Sequence, residues 1–236
     1  MTRDMTRSTR APTLLCMGEV LLVTVQGGDP SVLVEEAREL LARVAATTGS
    51  VHVRATGRDA DTVAAFATEH EADAMFTVRG AAPDLVLTRL TLPAGARLVG
   101  AYRANEIVKA DYQRSWADGD PSPGVSLLCF VRRKPDITPE AYSDHWRDNH
   151  GPLALRRQPG FWRYVQNHVI EYLTTETPDF DGIGELHFRT AQSVLDDMFD
   201  SPEGQQEIMD DTFRFMSHEG STTLPSIEWL AAQPRD

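Results

Sequence analysis

The stretch VSLLCFVRRKPDITPEAYSDHWRDNHGPL, residues 125–153, passes from a strand to a helix across a sharp boundary. Val125 to Val131 is a continuous apolar run of the length expected of a buried strand. Thr138, Pro139 and Glu140 then supply an N-cap, an imino acid at the tolerated first helical position and an acidic first turn. The helix is expected to reach about His150, where Gly151-Pro152 ends or bends it.

Further along, Phe161 to Tyr172 is rich in β-branched and aromatic residues, Gly184 to Thr190 forms a third strand, and Thr223 to Leu230 a last one. Ala191 to Phe215 reads as helix, broken at Ser201-Pro202. The order β-α-β-β-α-β is the split βαβ of a ferredoxin-like sandwich. Towards the N-terminus, Asp118 to Gly124 is a run of turn formers that neither a helix nor a central strand can cross. Beyond it the pattern is looser: strand Leu14–Val25, helix Pro30–Thr47, strand Ser50–Ala55, helix Asp59–Glu71, and strands Ala74–Val78, Asp84–Leu92 and Leu98–Ala110. The chain therefore divides into a disordered tail (1–12), a degenerate ferredoxin-like half (13–117), a linker (118–124) and a more regular ferredoxin-like half (125–232), with no sequence repeat between the halves.

On an α-helix Tyr142, His145, Trp146, Asn149, His150 and Leu153 share a face, and at about 100° per residue His145 and His150 fall roughly 140° apart on it. A plain core helix would turn Leu, Ile, Val or Ala inward. This one turns two imidazoles, a phenol, an indole and an amide inward, groups that bury comfortably only with hydrogen-bond partners or beside a polar cavity. The bland alternative makes both histidines satisfied polar residues, His150 near a helix C-terminus that favours an imidazolium. The functional one makes a histidine a proton carrier near neutral pH. Alternation places Trp162, Tyr164, Gln166 and His168 on one face of their strand. His168 and His187 read as edge or surface residues, and Glu185 as a carboxylate on a central strand that needs a partner such as an imidazole.

Composition narrows the function classes. The 236 residues suit one large domain or two smaller ones, and 23 Lys+Arg against 35 Asp+Glu give a formal charge of −12. Such a charge opposes nucleic-acid and anionic-membrane partners, since Arg132-Arg133-Lys134 is the one dense basic run. The two cysteines, Cys16 and Cys129, lie in apolar stretches and read as reduced core thiols of a cytoplasmic protein. No apolar run approaches the ~18 residues of a membrane span. The i, i+5 spacing of His145 and His150 and the lack of CxxC, HExxH or EF-hand patterns argue against a metal. GxGxxG, Walker and GxSxG motifs do not occur.

RRKP at 132–135, TPEAY at 138–142, HWRDNHGPL at 145–153, RYVQNH at 163–168 and DGIGEL at 181–186 together resemble the EthD family, over most of Val125 to Leu230. The resemblance implies a dimeric α+β barrel whose sheet packs on another around a cavity, with the chain's own first half as the second sheet. Trp146, His150, Tyr142 and Asn167-His168 match characteristic positions of the family; His145 stands where it more often has an aromatic residue. Fold does not choose among the lactone isomerases, cyclases, dehydratases and oxygenases of the wider superfamily.

The leading expectation is a cofactor-independent isomerase, lyase or dehydratase acting on a small apolar cyclic substrate. His150 carries the proton, Tyr142, His168 or Glu185 orients it or stabilises an oxyanion, and Trp146, His145, Asn149, Asn167 and Trp162 contact the substrate. No cofactor, metal, nucleic acid or membrane is expected; a homodimer is an option. The alternatives are a non-catalytic small-molecule binder and an oxidoreductase using haem or molecular oxygen.

Overall fold

The computed structural model describes residues 17–44, 50–56 and 58–232. The expected tail 1–12 and Cys16 lie outside the described residues. The elements are β1 (Met17–Gln26), α1 (Pro30–Arg43), β2 (Ser50–Ala55), α2 (Arg58–Asp61), β3 (Ala74–Arg79), α3 (Pro83–Arg89) and β4 (Arg97–Ala110). They continue with β5 (Val125–Arg133), α4 (Pro139–His145), a π-helical turn (Trp146–His150), α5 (Gly151–Arg157), β6 (Phe161–Tyr172), β7 (Gly182–Phe188), α6 (Ala191–Asp196), α7 (Pro202–Phe215) and β8 (Met216–Ala232). Among the described residues no helix is long and apolar enough to cross a membrane.

The eight strands close into one barrel in the order β1-β3-β2-β8-β5-β7-β6-β4, antiparallel at every pairing. Within each half the order is fourth-first-third-second, β4-β1-β3-β2 and β8-β5-β7-β6, which is the ferredoxin-like arrangement twice. The seams are β2 with β8, where Ala55 faces Ile227, and β4 with β6, where Asn105 faces His168. The halves thus join edge to edge, and the barrel axis is filled by side chains.

Strand alternation sorts the side chains. Leu21, Val23 and Val25 of β1 face outward to Leu33, Ala37 and Leu40 of α1, while Val20 and Leu22 face inward to Met75, Tyr102, Leu128 and Phe130. Helix starts are capped by side chains: Asp29 accepts from Ser31 N, Thr138 from Ala141 N and Ser201 from Gly204 N, each with proline following the cap.

Two sequence expectations in the first half fail. In place of the strand expected over 84–92 the chain forms α3, which ends at Arg89, because Pro83 and Asp84 open a helix whose Val86 buries against α1. The expected helix over 59–71 is reduced to α2 and a 3₁₀ turn at Ala64–Phe66, whose Val63 and Phe66 pack across onto the outer face of the second half. In the second half Gly151-Pro152 does not end the helix, which continues to Arg157.

Inward positions also hold a charged cluster. Arg54 lies 2.5 Å from Glu185 and 2.6 Å from Glu228, and Arg163 lies 3.0 Å from Glu185. All four are buried. Burial alone would raise the Glu185 carboxyl, but Arg54 and Arg163 hold it below the usual range. The partners of Glu185 are therefore guanidinium groups and the Asn167 amide, 2.9 Å away, not an imidazole. His187, expected at an edge or on the surface, is 1% exposed inside the barrel.

Candidate active site

The site begins with a backbone irregularity. Pro152 has no N–H to give to the carbonyl of Asp148, and its ring crowds that carbonyl, so the helix widens into an i→i+5 turn closed by Gly151 N–H on Trp146 O. Two of its carbonyls take side-chain donors: Gln166 Nε2 gives to Trp146 O at 2.9 Å and Lys109 Nζ to Arg147 O at 2.7 Å. Gly151 leaves room for both, since a Cβ there would lie 2.9 Å from Lys109 Cε and 3.0 Å from Gln166 Nε2.

The wide turn overturns the expected 140° separation. It brings residue i+5 over residue i, and His145 and His150 meet at one carboxylate: His145 Nε2 is 3.0 Å from Asp211 Oδ1 and His150 Nδ1 is 2.9 Å from Asp211 Oδ2. Asn149 is swung out to solvent. Asp211 comes from the inward face of α7, between Ile208 and Phe215, and is buried. Burial pushes its carboxyl up, but the hydrogen bonds from His150 and His145 outweigh this and hold it below the usual aspartate value. With Asp211 ionised, His150 donates through Nδ1–H, which leaves Nε2 as the ring nitrogen carrying a lone pair.

His150 lines a cavity of about 360 Å³ between the outer face of β5, β6 and β7 and the helices, together with Cys129, Trp146, Gln158, Tyr164, Leu186, Ile208 and Phe215. Trp146 lies flat against β7 because Gly182 and Gly184 carry no side chain. Cys129, read as core, is half-buried on the cavity wall; burial pushes its thiol up to about 11.

The other expected site residues lie elsewhere. Tyr142 and His168 line a second cavity of about 490 Å³, their rings packed on Trp146 at 5.7 and 4.6 Å between centroids, with Ser143 Oγ 2.8 Å from His168 Nδ1. His168, expected at an edge or surface, is buried; burial, then Arg147 and Lys109, push it down to about 3. Glu185 and Asn167 face the barrel axis. Trp162 leaves the face of Tyr164, Gln166 and His168, because a bulge between Phe161 and Arg163 turns it to Tyr112, Trp116 and His187. The sequence reading does not single out Gln158 or His218 of the cavity, nor Asp211 behind His150. Asp211 has a legible signal, a carboxylate in the inward series Gly204, Ile208, Asp211, Phe215 of an amphipathic helix.

No curated protein matches the chain. Among solved structures it is similar to an anthrone oxidase-like protein, at 15% identity and a TM-score of 0.52 over 93% of this chain and 94% of that one. It is also similar to the chlorite dismutase of Candidatus Nitrospira defluvii (12%, TM-score 0.48, 89% and 90% covered) and to a heme-binding protein from Thermus thermophilus (12%, TM-score 0.44, 90% of each). At these identities the first likeness shows the barrel fold and the others carry no further argument. His145, Trp146, His150, Tyr164 and Asp211 all fall within residues 134–219, the segment that matches the family model of the EthD domain.

Proposed function

We propose that this protein is a cofactor-independent acid/base enzyme acting on a small, largely apolar cyclic compound: a lactone, an aromatic or a polyketide-like intermediate. The observation that carries the reading is the His150–Asp211 pair at the wall of a mostly apolar cavity. A carboxylate on Nδ1 fixes the tautomer and orients the ring, so that Nε2 can take a proton from carbon and return it. His145 acts through Asp211, and Trp146, Leu186, Ile208 and Phe215 favour a flat apolar ring over a charged chain. Isomerisation and elimination share the first step. Tyr142, His168, Asn167 and Glu185 take no part in the proton transfer in this proposal, because the second cavity and the barrel axis hold them away from His150.

The test is deuterium incorporation into a panel of small cyclic ketones and lactones in heavy water, read by mass spectrometry. Exchange is expected to fall by ~10²-fold or more in His150→Ala with folding intact. Equal rates would remove His150 from the mechanism. A non-catalytic binder would hold panel members without exchange, and a haem protein would give a His150-dependent Soret band on titration with hemin. Both seams of the barrel close within one chain, so a homodimer would be built on outer surfaces; sedimentation gives its mass.

A further inference from the structure

Tyr164 is buried on β6 and lines the same cavity as His150. Its oxygen receives two hydrogen bonds, from Trp146 Nε1 at 3.2 Å and from Gln166 Nε2 at 2.8 Å. Both nitrogens are donors only. The Gln166 amide cannot be turned round, because the same Nε2 also gives its other proton to Trp146 O. A phenol oxygen has two lone pairs and one proton, and here both lone pairs are engaged. No acceptor among the described residues takes the proton.

We infer that Tyr164 is a dedicated hydrogen-bond donor to a ligand oxygen in the cavity, and that the substrate is a cyclic compound bearing a carbonyl group beside the carbon that His150 deprotonates. The chemistry of this inference rests on the acid/base reading above. In the step, the C–H proton passes to His150 Nε2, the C–H electron pair forms the new C=C bond, and the carbonyl π pair moves onto oxygen. That oxygen, now an enolate, accepts the Tyr164 proton in a hydrogen bond without taking it. The His150 imidazolium then returns its proton at the same or a conjugated carbon. No oxidant or co-reactant is required. Burial pushes the Tyr164 phenol above its ordinary value, which keeps the group protonated. Two incoming hydrogen bonds fix the oxygen before the ligand arrives, the preorganisation that makes an oxyanion donor effective.

The experiment compares oxygen-bearing probes with their oxygen-free isosteres, 1-indanone with indane and 2-naphthol with naphthalene, by titration of the full chain. The oxygen-bearing member is expected to bind about tenfold more tightly in the wild type, an advantage lost in Tyr164→Phe. A second measurement needs no variant: the C=O stretch of 1-indanone bound to the wild type should fall below its value in a hydrocarbon solvent. Equal affinities, no binding of the oxygen-bearing probes, an advantage that survives Tyr164→Phe, or a hydrocarbon-like stretch would each overturn the assignment. If the Tyr164-dependent preference holds while His150→Ala leaves exchange unchanged, the acid/base reading fails and the donor stands.

Discussion

His145 and His150, five residues apart, each bond one oxygen of a single carboxylate. On an unbroken α-helix they would diverge. The π-turn between them is what converts two separate imidazoles into one oriented pair, and it places the importance of Gly151 and Pro152 in the helix rather than at its end.

Asp211→Asn keeps the volume and removes the charge. The His150-dependent exchange is expected to fall by ~10²-fold, because Nδ1–H no longer has an ionic acceptor to fix the tautomer. An unchanged rate would show that His150 acts without its carboxylate.

Gly151→Ala replaces a helical glycine, a change that ordinarily stabilises by up to about 1 kcal/mol. Here the new Cβ meets Lys109 Cε and the buried Gln166 amide, which hold the carbonyls of the π-turn. The melting temperature is expected to drop; a rise would mean that both neighbours give way freely.

Gly182→Ala puts a Cβ 2.5 Å from Tyr142 Oη and closer still to the Trp146 ring. Overpacking of this kind costs about 1–3 kcal/mol. Denaturant melts should show that loss, with a changed Trp146 fluorescence as the ring leaves β7.

Stability should fall from neutral pH towards pH 4. His168 sits neutral in the fold at about 3, well below the ~6.5 of an unfolded histidine. Between those values the unfolded chain binds the extra proton, so the contribution is complete above the unfolded pKa and shrinks as pH falls. His52 and His187 are lowered by burial and slope the same way. Thermal melts of His168→Gln should therefore be flatter over this range than those of the wild type, and a parallel pair of curves would contradict the assignment.

Arg54→Met strips the shared cation from Glu185 and Glu228. Breaking one side of a buried pair costs about 3–5 kcal/mol, far more than a surface exchange. A loss under 1 kcal/mol by urea titration would show that Arg163 and His52 suffice.

Local chemistry carries most of the fold at the level of sequence. Thr138-Pro139, the alternation in β6 and the break before Ser201-Pro202 each report their element, since caps, pleat and imino acids act over a few residues. The Leu-rich run at 85–90 misleads, because its burial against α1 is a tertiary contact that periodicity cannot see. Among site residues, His150 and Trp146 are readable as polar and aromatic groups on an inward face. The pairing of His150 with His145 on one carboxylate is not, because it depends on a five-residue turn that an ideal helix lacks. Asp211 lies 61 residues from His150, and only the packing of α7 against the π-turn joins them.

The barrel's charged axis binds the two halves into a mutual obligation. Arg54 belongs to β2, whereas Glu185 and Glu228 belong to β7 and β8. Cut at the crossover, each fragment would carry two raw sheet edges and an uncompensated interior charge. The C-terminal fragment would hold Glu185 and Glu228 with Arg163 but without Arg54, and the N-terminal fragment would hold Arg54 without either carboxylate. Such pieces should be poor folders alone and good complements when expressed together, so that this chain behaves as a heterodimer whose partners were joined by a peptide bond.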